Sequence, residues 1–434
     1  MPKQKGQHSR KTRKIKKRAT STHNKKNKKR RSIKCKRKTR KLVGGNKSGV
    51  DGIIQYMNKI GQPKLQLCGV SILHRHGARG PGDSELKLWI TEEEENGKKT
   101  KKIEPVTKWQ NDELENITGV GKEMITNLGE WFQKKYISDN NNSDINWYSS
   151  KSDRAKESGV DFMKGLYNDN NIKPNPEKNR EDEDLYFRPW NVKNKDGKKE
   201  GDIISTAAKK QGTAIEKANG NAEFLKNLFT ILGRIESFKT TDGEYDLVKM
   251  LWSTTHIQGL YECERFWPNG EVDGNRDYIT NILTENEIDM NTLRELAYWV
   301  LTQRFFTHNK LVGMGGKITS DILSKTTDNK INVFSGHDYT IMSVLANLAE
   351  QTKELPQELT KGVEFGSYLI FEKWCNDKTP ERNIMRIYYN DEPFVPKGIE
   401  TVNNDTHQLL IELPINVVTT IISNINQRLY SLQL

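Results

Sequence analysis

A short apolar run, Leu65 to Leu73, passes without a break into His74-Arg75-His76-Gly77-Ala78-Arg79-Gly80-Pro81, and this junction constrains the fold more than any other part of the chain. A run of that length, bounded by a Gly- and Pro-containing turn, reads as a buried strand. Open α/β sheets bind ligands at the carboxyl ends of their parallel strands, so a strand ending in a knot of cations points to such a sheet. The pattern recurs downstream. Ile145 to Ser149 is extended and leads to a helical stretch from Asp153 to Tyr167, while Ile331 to Ser335 leads through Gly336-His337-Asp338 into the apolar helix Tyr339 to Ala349. Ser367 to Glu372 and Met385 to Asp391 read as two more strands lying side by side.

Between these units the periodicity is helical. Thr118 is a fitting N-cap for a helix to Tyr136, because Val120, Met124, Leu128, Trp131 and Phe132 fall on one face. From Asn221 to Phe306 helical spacing prevails, while residues 168–220 carry no assignable pattern. The run Thr91 to Lys102, with Glu92 to Glu95 followed by lysines, breaks every hydrophobic period and is expected as a solvated surface loop without function. The predicted fold class is α/β, a three-layer α/β/α sandwich over residues 60–434 with a mainly helical cap inserted at about 170–310.

Charge is segregated. Residues 1–50 hold 22 Lys and Arg with no Asp or Glu, which leaves the rest of the chain acidic. So polar a segment cannot bury enough surface to order itself, and it is expected as a disordered basic arm and linker. Its runs suit salt-sensitive binding of nucleic acid or another polyanion, or nuclear targeting; a solubilising tail is the equal alternative. Without an aromatic residue in the arm, base stacking is not expected there.

Cys35, Cys68, Cys263 and Cys375 show no CxxC spacing, which argues against a zinc site or a dense disulfide framework and favours a reducing compartment, with any pairing left open. The N-terminus has no apolar signal core and no run is long enough to span a bilayer, so an intracellular, cytoplasmic or nuclear, location is expected.

The chemistry lies in the loop after the first strand. Arg75 and Arg79 flank His76, two guanidiniums able to hold anionic oxygens by bidentate hydrogen bonds, and Gly77 allows close backbone approach. RHGxRxP arises by chance in a chain this long with probability on the order of 10⁻⁴, so a surface turn with unrelated charges is the weaker reading. The His337-Asp338 pair stands between a strand and a helix N-terminus, a favourable place for bound phosphate, although such a pair by itself also serves as a helix cap.

With these motifs in hand, the chain resembles the histidine acid phosphatases, the acid phosphatase/phytase branch of the histidine phosphatase superfamily. The resemblance rests on Arg75, His76, Gly77, Arg79 and Pro81; on the helix Ile117 to Tyr136; on Arg154 in Ser149-Ser150-Lys151-Ser152-Asp153-Arg154; on Gly336-His337-Asp338 with Thr340; and on Phe365 to Glu372. It implies that His76 is the nucleophile forming a phosphohistidine and that Asp338 is the general acid. Arg75, Arg79, Arg154 and His337 would bind the phosphoryl oxygens, with no metal and no cofactor. The family follows its third Arg with Thr, where this chain has Ala155. Mutases and bisphosphatases of the superfamily carry Glu after the RHG, where Ala78 stands, and lack the second-motif Asp. The function implied is hydrolysis of a phosphorylated small molecule; the alternative is a polyanion-binding protein acting through residues 1–50 with an inactive body. His74 is expected to be a packed or solvated neighbour.

Overall fold

In the computed structural model the described residues are 65–95, 98–103, 114–137, 144–171, 186–193, 196–266, 278–305, 315–352, 363–376, 378–390 and 408–431. All belong to the unit Pro63–Leu434; the basic arm lies in the other unit, Met1–Gln62, outside the described residues.

Six strands form the main sheet: β1 (Gln66–Arg75), β4 (Asp144–Ser149), β5 (Lys330–Gly336), β6 (Tyr368–Cys375), β7 (Ile384–Asn390) and β8 (Gln408–Pro414), in the order β4-β5-β1-β6-β7-β8. β4, β5 and β1 run parallel, with Tyr148 beside Phe334 and Leu73 beside Phe334, whereas β6, β7 and β8 are each antiparallel to the preceding neighbour. The chain visits β1, then β4, then β5, yet β5 lies between the other two. Three loops far apart in sequence therefore emerge at one edge of the sheet.

Side chains on successive strand residues point to opposite faces, and both faces are apolar. Val70, Ile72, Ile331, Val333 and Ile370 pack under helices α1 (Gly119–Tyr136) and α2 (Asp153–Tyr167) through Met124, Leu128, Phe132 and Phe162. Leu73, Phe334, Leu369, Phe371 and Ile387 pack on the other side with Ile322 of α9 (Gly316–Lys325), Ile341 and Leu345 of α10 (Asp338–Thr352) and Ile421 of α11 (Ile415–Ser431). This is the α/β/α sandwich read from sequence. Each such fully buried aliphatic or aromatic side chain stabilises the fold by about 1.5–3 kcal/mol.

Between α2 and β5 come α3 (Glu200–Lys209), α4 (Gly212–Gly220), α5 (Ala222–Ile231), α6 (Leu247–Arg265), α7 (Tyr278–Glu285) and α8 (Met290–Phe305), with no strand of the main sheet among the described residues. Leu225, Ile257, Leu260 and Leu293 carry the first apolar cluster into this region. No described helix is long and apolar enough to cross a membrane.

The sequence reading needs correction in three places. Thr91 to Lys102 is no loop: β2 (Ile90–Glu95) and β3 (Lys98–Ile103) form an antiparallel pair whose register opposes Glu92 to Lys101 and Glu94 to Lys99. Opposite charges across a ladder replace the hydrophobic alternation by which a strand is usually recognised. Residues 168–220, unassigned from sequence, contain α3 and α4. The helical spacing read from Asn221 onward is also interrupted early, because Gly233 at φ 64° turns the chain after α5 and a short 3₁₀ turn follows at Ile235–Phe238. At the Thr118 cap the reading holds: its hydroxyl accepts from the Gly121 N–H at 2.9 Å.

The cysteine pairing left open by sequence is supplied by topology. Antiparallel β1 and β6 bring Cys68, at a bulge in β1, beside Cys375, and a disulfide joins them with Cα atoms 5.8 Å apart; Cys263 is buried and free.

Candidate active site

β1 does not release its chain at Arg75. The Arg75 N–H donates to the Ser367 carbonyl (2.8 Å) and the His76 N–H to the Gly336 carbonyl (3.1 Å), so the ladder continues into the loop and fixes the first residues of the motif. Gly77 donates its N–H to Ser158 Oγ of α2 (3.0 Å), and a β-carbon at Gly77 would strike the Gly121 carbonyl. Reciprocally, a β-carbon at Gly121 would strike the Ala78 carbonyl. Glycine is therefore needed at both positions for close backbone approach. Thr118 completes the junction, donating its N–H to Ala78 O at 3.0 Å.

This frame buries the His76 ring, 2% exposed, and sets its Nδ1 3.0 Å from the Gly77 carbonyl. A carbonyl accepts only from N–H, so Nδ1 carries the proton and Nε2 keeps its lone pair. Burial, and then the positive charges of Arg154, Arg75, Arg79 and His337, hold the His76 pKa well below its ordinary value. Burial and the surrounding arginines thus favour the neutral ring.

The three arginines arrive from two loops. Arg75 and Arg79 belong to the β1 loop, and Arg154 lies in the first turn of α2, just after β4. Arg75 is 4% exposed; its guanidinium lies 4.1 Å from the Phe365 ring centroid and donates to Val363 O at 2.6 Å. Each arginine also faces a carboxylate. Arg75 meets Glu262 at 3.4 Å and Asp338 at 3.3 Å, Arg79 meets Glu85 at 3.0 Å, and Arg154 meets Glu115 at 2.7 Å. In all three the Nε is buried and has no hydrogen-bond partner. A buried N–H left unpaired is costly, and three of them around one imidazole form a cradle for an oxyanion.

β5 delivers the second half of the site. His337, 2% exposed, sits edge-on to His76 with ring centroids 5.6 Å apart, and its Nε2 is 2.9 Å from Ser150 Oγ. Burial, followed by Arg154, Arg188, Arg79 and Arg75, lowers its pKa well below the ordinary range. Asp338 opens α10. Its Oδ1 accepts from the Tyr339 N–H (2.7 Å) and its Oδ2 reaches Arg75, while about a third of the side chain, 32%, stays exposed. All six residues singled out from sequence are thus brought together at the ends of β1, β4 and β5. His74 is packed, as expected: it stacks on Phe162, and Ser335 Oγ donates to its Nε2 at 2.7 Å.

Residues 66–243 match the histidine phosphatase superfamily (branch 2). The kinship read from the first three motifs holds over that stretch, and Gly336-His337-Asp338 joins it through the parallel pairing of β5 with β1. Solved structures share the fold, two phytases among them. The phytase of Klebsiella sp. ASR1 superposes with TM-score 0.51 at 14% identity, over 84% of this chain and 96% of that one. The phytase of Citrobacter braakii gives TM-score 0.52 at 12% identity, over 83% and 98%. No curated protein matches the chain by sequence.

A cavity of about 110 Å³ opens beside Arg75 and Asp338, walled by Gln258 and Glu262 of α6, Arg304 of α8 and Tyr339 of α10. Glu262, 5% exposed, accepts from Tyr298 Oη (3.0 Å) and Gln258 Nε2 (3.3 Å) as well as facing Arg75. Sequence reasoning missed Glu85, Glu115, Glu262, Arg188 and Phe365 as members of this site. Glu85 sits only six residues beyond Arg79 and was open to a search for a local ion pair; nothing in the sequence flags Glu262, whose partner is 187 positions away. The metal-ligating side-chain types that cluster among the described residues are Cys68, Asp328 and Cys375. They lie at the opposite end of β1, and two of them are spent in the disulfide.

Proposed function

We propose that this protein is a histidine phosphatase that hydrolyses phosphomonoesters in mildly acidic solution through a phosphohistidine on His76. The observation that carries the reading is the neutral His76 ringed by Arg75, Arg79 and Arg154, each with a buried Nε–H that has no partner. The lone pair on Nε2 attacks phosphorus, the ester P–O bond breaks, and its electron pair leaves on the alcohol oxygen, which takes a proton from Asp338. Water then attacks the phosphohistidine and gives a proton to the Asp338 carboxylate; the P–N bond breaks and inorganic phosphate departs. The arginines and His337 stabilise the charge on the equatorial oxygens in both steps, where fixed donors contribute most.

Two features support the assignment of roles. Asp338 is the exposed member of its pair and borders the cavity, where a leaving alcohol can lie, whereas His337 is sealed beneath it. The lowered His76 pKa also keeps the nucleophile unprotonated at pH values where a free histidine is largely charged.

The test is release of p-nitrophenol from p-nitrophenyl phosphate across pH 4 to 8 in EDTA, for the natural protein and His76→Ala. Metal-independent release that vanishes in the variant is the expected result. No release from the natural protein, or equal release from both, sinks the reading.

A further inference from the structure

The glutamates paired with the three arginines around His76 are not equivalent. Glu85 is a fixture: its side chain is 14% exposed, it accepts from the Gly82 N–H and Ser84 Oγ at 2.8 Å each, and it faces Arg79. Glu262 is buried among Arg75, Tyr298 and Gln258. Glu115 is different. Its side chain is 53% exposed and its carboxylate has one polar partner among the described residues, Arg154 Nη1 at 2.7 Å. The backbone at Glu115 is also in the left-handed region, φ 61°, where a residue with a β-carbon is strained. The carboxylate lies over Gly82, where a β-carbon would fall 2.6 Å from Glu115 Oε1.

We propose that Glu115 is an internal stand-in for phosphate: its carboxylate occupies Arg154 in the empty site and is displaced by the phosphoryl group, which makes it the residue that sets how tightly the site holds substrate and product. The argument rests on Arg154 being a phosphate ligand, as in the function proposed above. An oxyanion bound at the unpaired Nε–H of Arg154 shares the guanidinium with Glu115 on Nη1, and two anions on one guanidinium repel. Because the carboxylate is exposed and singly held, swinging it into water costs little, whereas Glu85 and Glu262 would each lose several buried hydrogen bonds.

The experiment is inhibition by inorganic phosphate of p-nitrophenyl phosphate hydrolysis at constant pH and ionic strength. Glu115→Gln and Glu115→Gly remove the competing charge, and the glycine also suits the positive φ, so one variant remains informative if the other folds poorly. Both should lower the phosphate inhibition constant and KM about fivefold, the scale of an exposed ion pair. Arg154→Ala should raise the inhibition constant more than about tenfold, the loss of a charge-assisted contact. In that background Glu115→Gln should add nothing. An inhibition constant that stays the same or rises in both Glu115 variants, with Arg154→Ala still weakening phosphate, overturns this proposal alone; Glu115 then merely orients Arg154. If Arg154→Ala leaves phosphate binding unchanged, Arg154 is not a phosphate ligand, and both this proposal and that part of the functional reading fall.

Discussion

The loops at the sheet edge and the helices from α3 to α8 both reach the same site, but they contribute in different ways. The sheet-edge loops place each functional side chain next to its neighbour in sequence: Arg75 with His76, and His337 with Asp338, held by backbone bonds that extend the strands. The helices contribute through single side chains that arrive from far away, Glu262 and Gln258 from α6, Tyr298 and Arg304 from α8. Under the proposed reaction, the atoms that would touch phosphorus are set by continuous backbone, and those that would orient or surround them by tertiary packing. That reading assigns reaction type to the first region and preference among leaving groups to the second.

The sharpest way to break this division is Asp338→Ala. A general acid contributes about 10²- to 10⁴-fold, but only where the leaving oxygen needs a proton. Turnover of an alkyl phosphate should fall by at least about a hundredfold while that of an aryl phosphate falls far less. Equal losses on the two substrates would remove Asp338 from its role.

A smaller effect tests the helical side. Glu262→Gln leaves Arg75 with Asp338 as its one remaining carboxylate, so the guanidinium shifts toward the acid and away from the bound phosphoryl group. kcat/KM should fall about tenfold to a hundredfold on aryl and alkyl phosphates alike, the cost of misplacing a catalytic group by a fraction of an ångström. Glu262→Asp should recover part of it. An unchanged kcat/KM would mean that the helices only wall the cavity.

The smallest effect concerns stability. Burial opposes the charge on Glu85, but Arg79 and the Ser84 and Gly82 donors outweigh it and hold its pKa at about 2, against 4.5 for the free group. A depressed carboxylate stabilises the fold above its unfolded pKa, and that stability is lost as pH falls toward the folded value. The Tm of the natural protein should therefore exceed that of Glu85→Gln at pH 6, and the gap should close between pH 4.5 and about 2. A gap independent of pH would show that Glu85 acts by packing alone.

The same division decides what the sequence makes legible. The RHGARGP loop and Gly336-His337-Asp338 can be read because their chemistry is local, and both sit after strands whose apolar runs are equally local. Arg154 is readable as a cation after a strand; that β4 lies next to β5, bringing it to His76, is a fact of sheet order. Glu115, Glu262 and the Cys68–Cys375 pair acquire meaning only from partners 39, 187 and 307 positions away. The charged hairpin escaped because its strands carry Glu and Lys where alternating apolar residues are the usual signal. Helices α3 and α4 escaped because their apolar faces are small, with Ile204 and Ala208 buried in one and Ala214 and Ala218 in the other.

The mutual contact of Gly77 and Gly121 has a consequence for how such a site can diversify. Each glycine abuts a main-chain carbonyl of the other segment, so no side-chain exchange elsewhere can make room for a methyl group at either position. The His76 loop and the start of α1 are mortised together and must be inherited as one piece. A library built to change substrate preference should leave this joint untouched and spend its diversity on α6 and α8, whose side chains line the cavity without being locked backbone to backbone with the His76 loop.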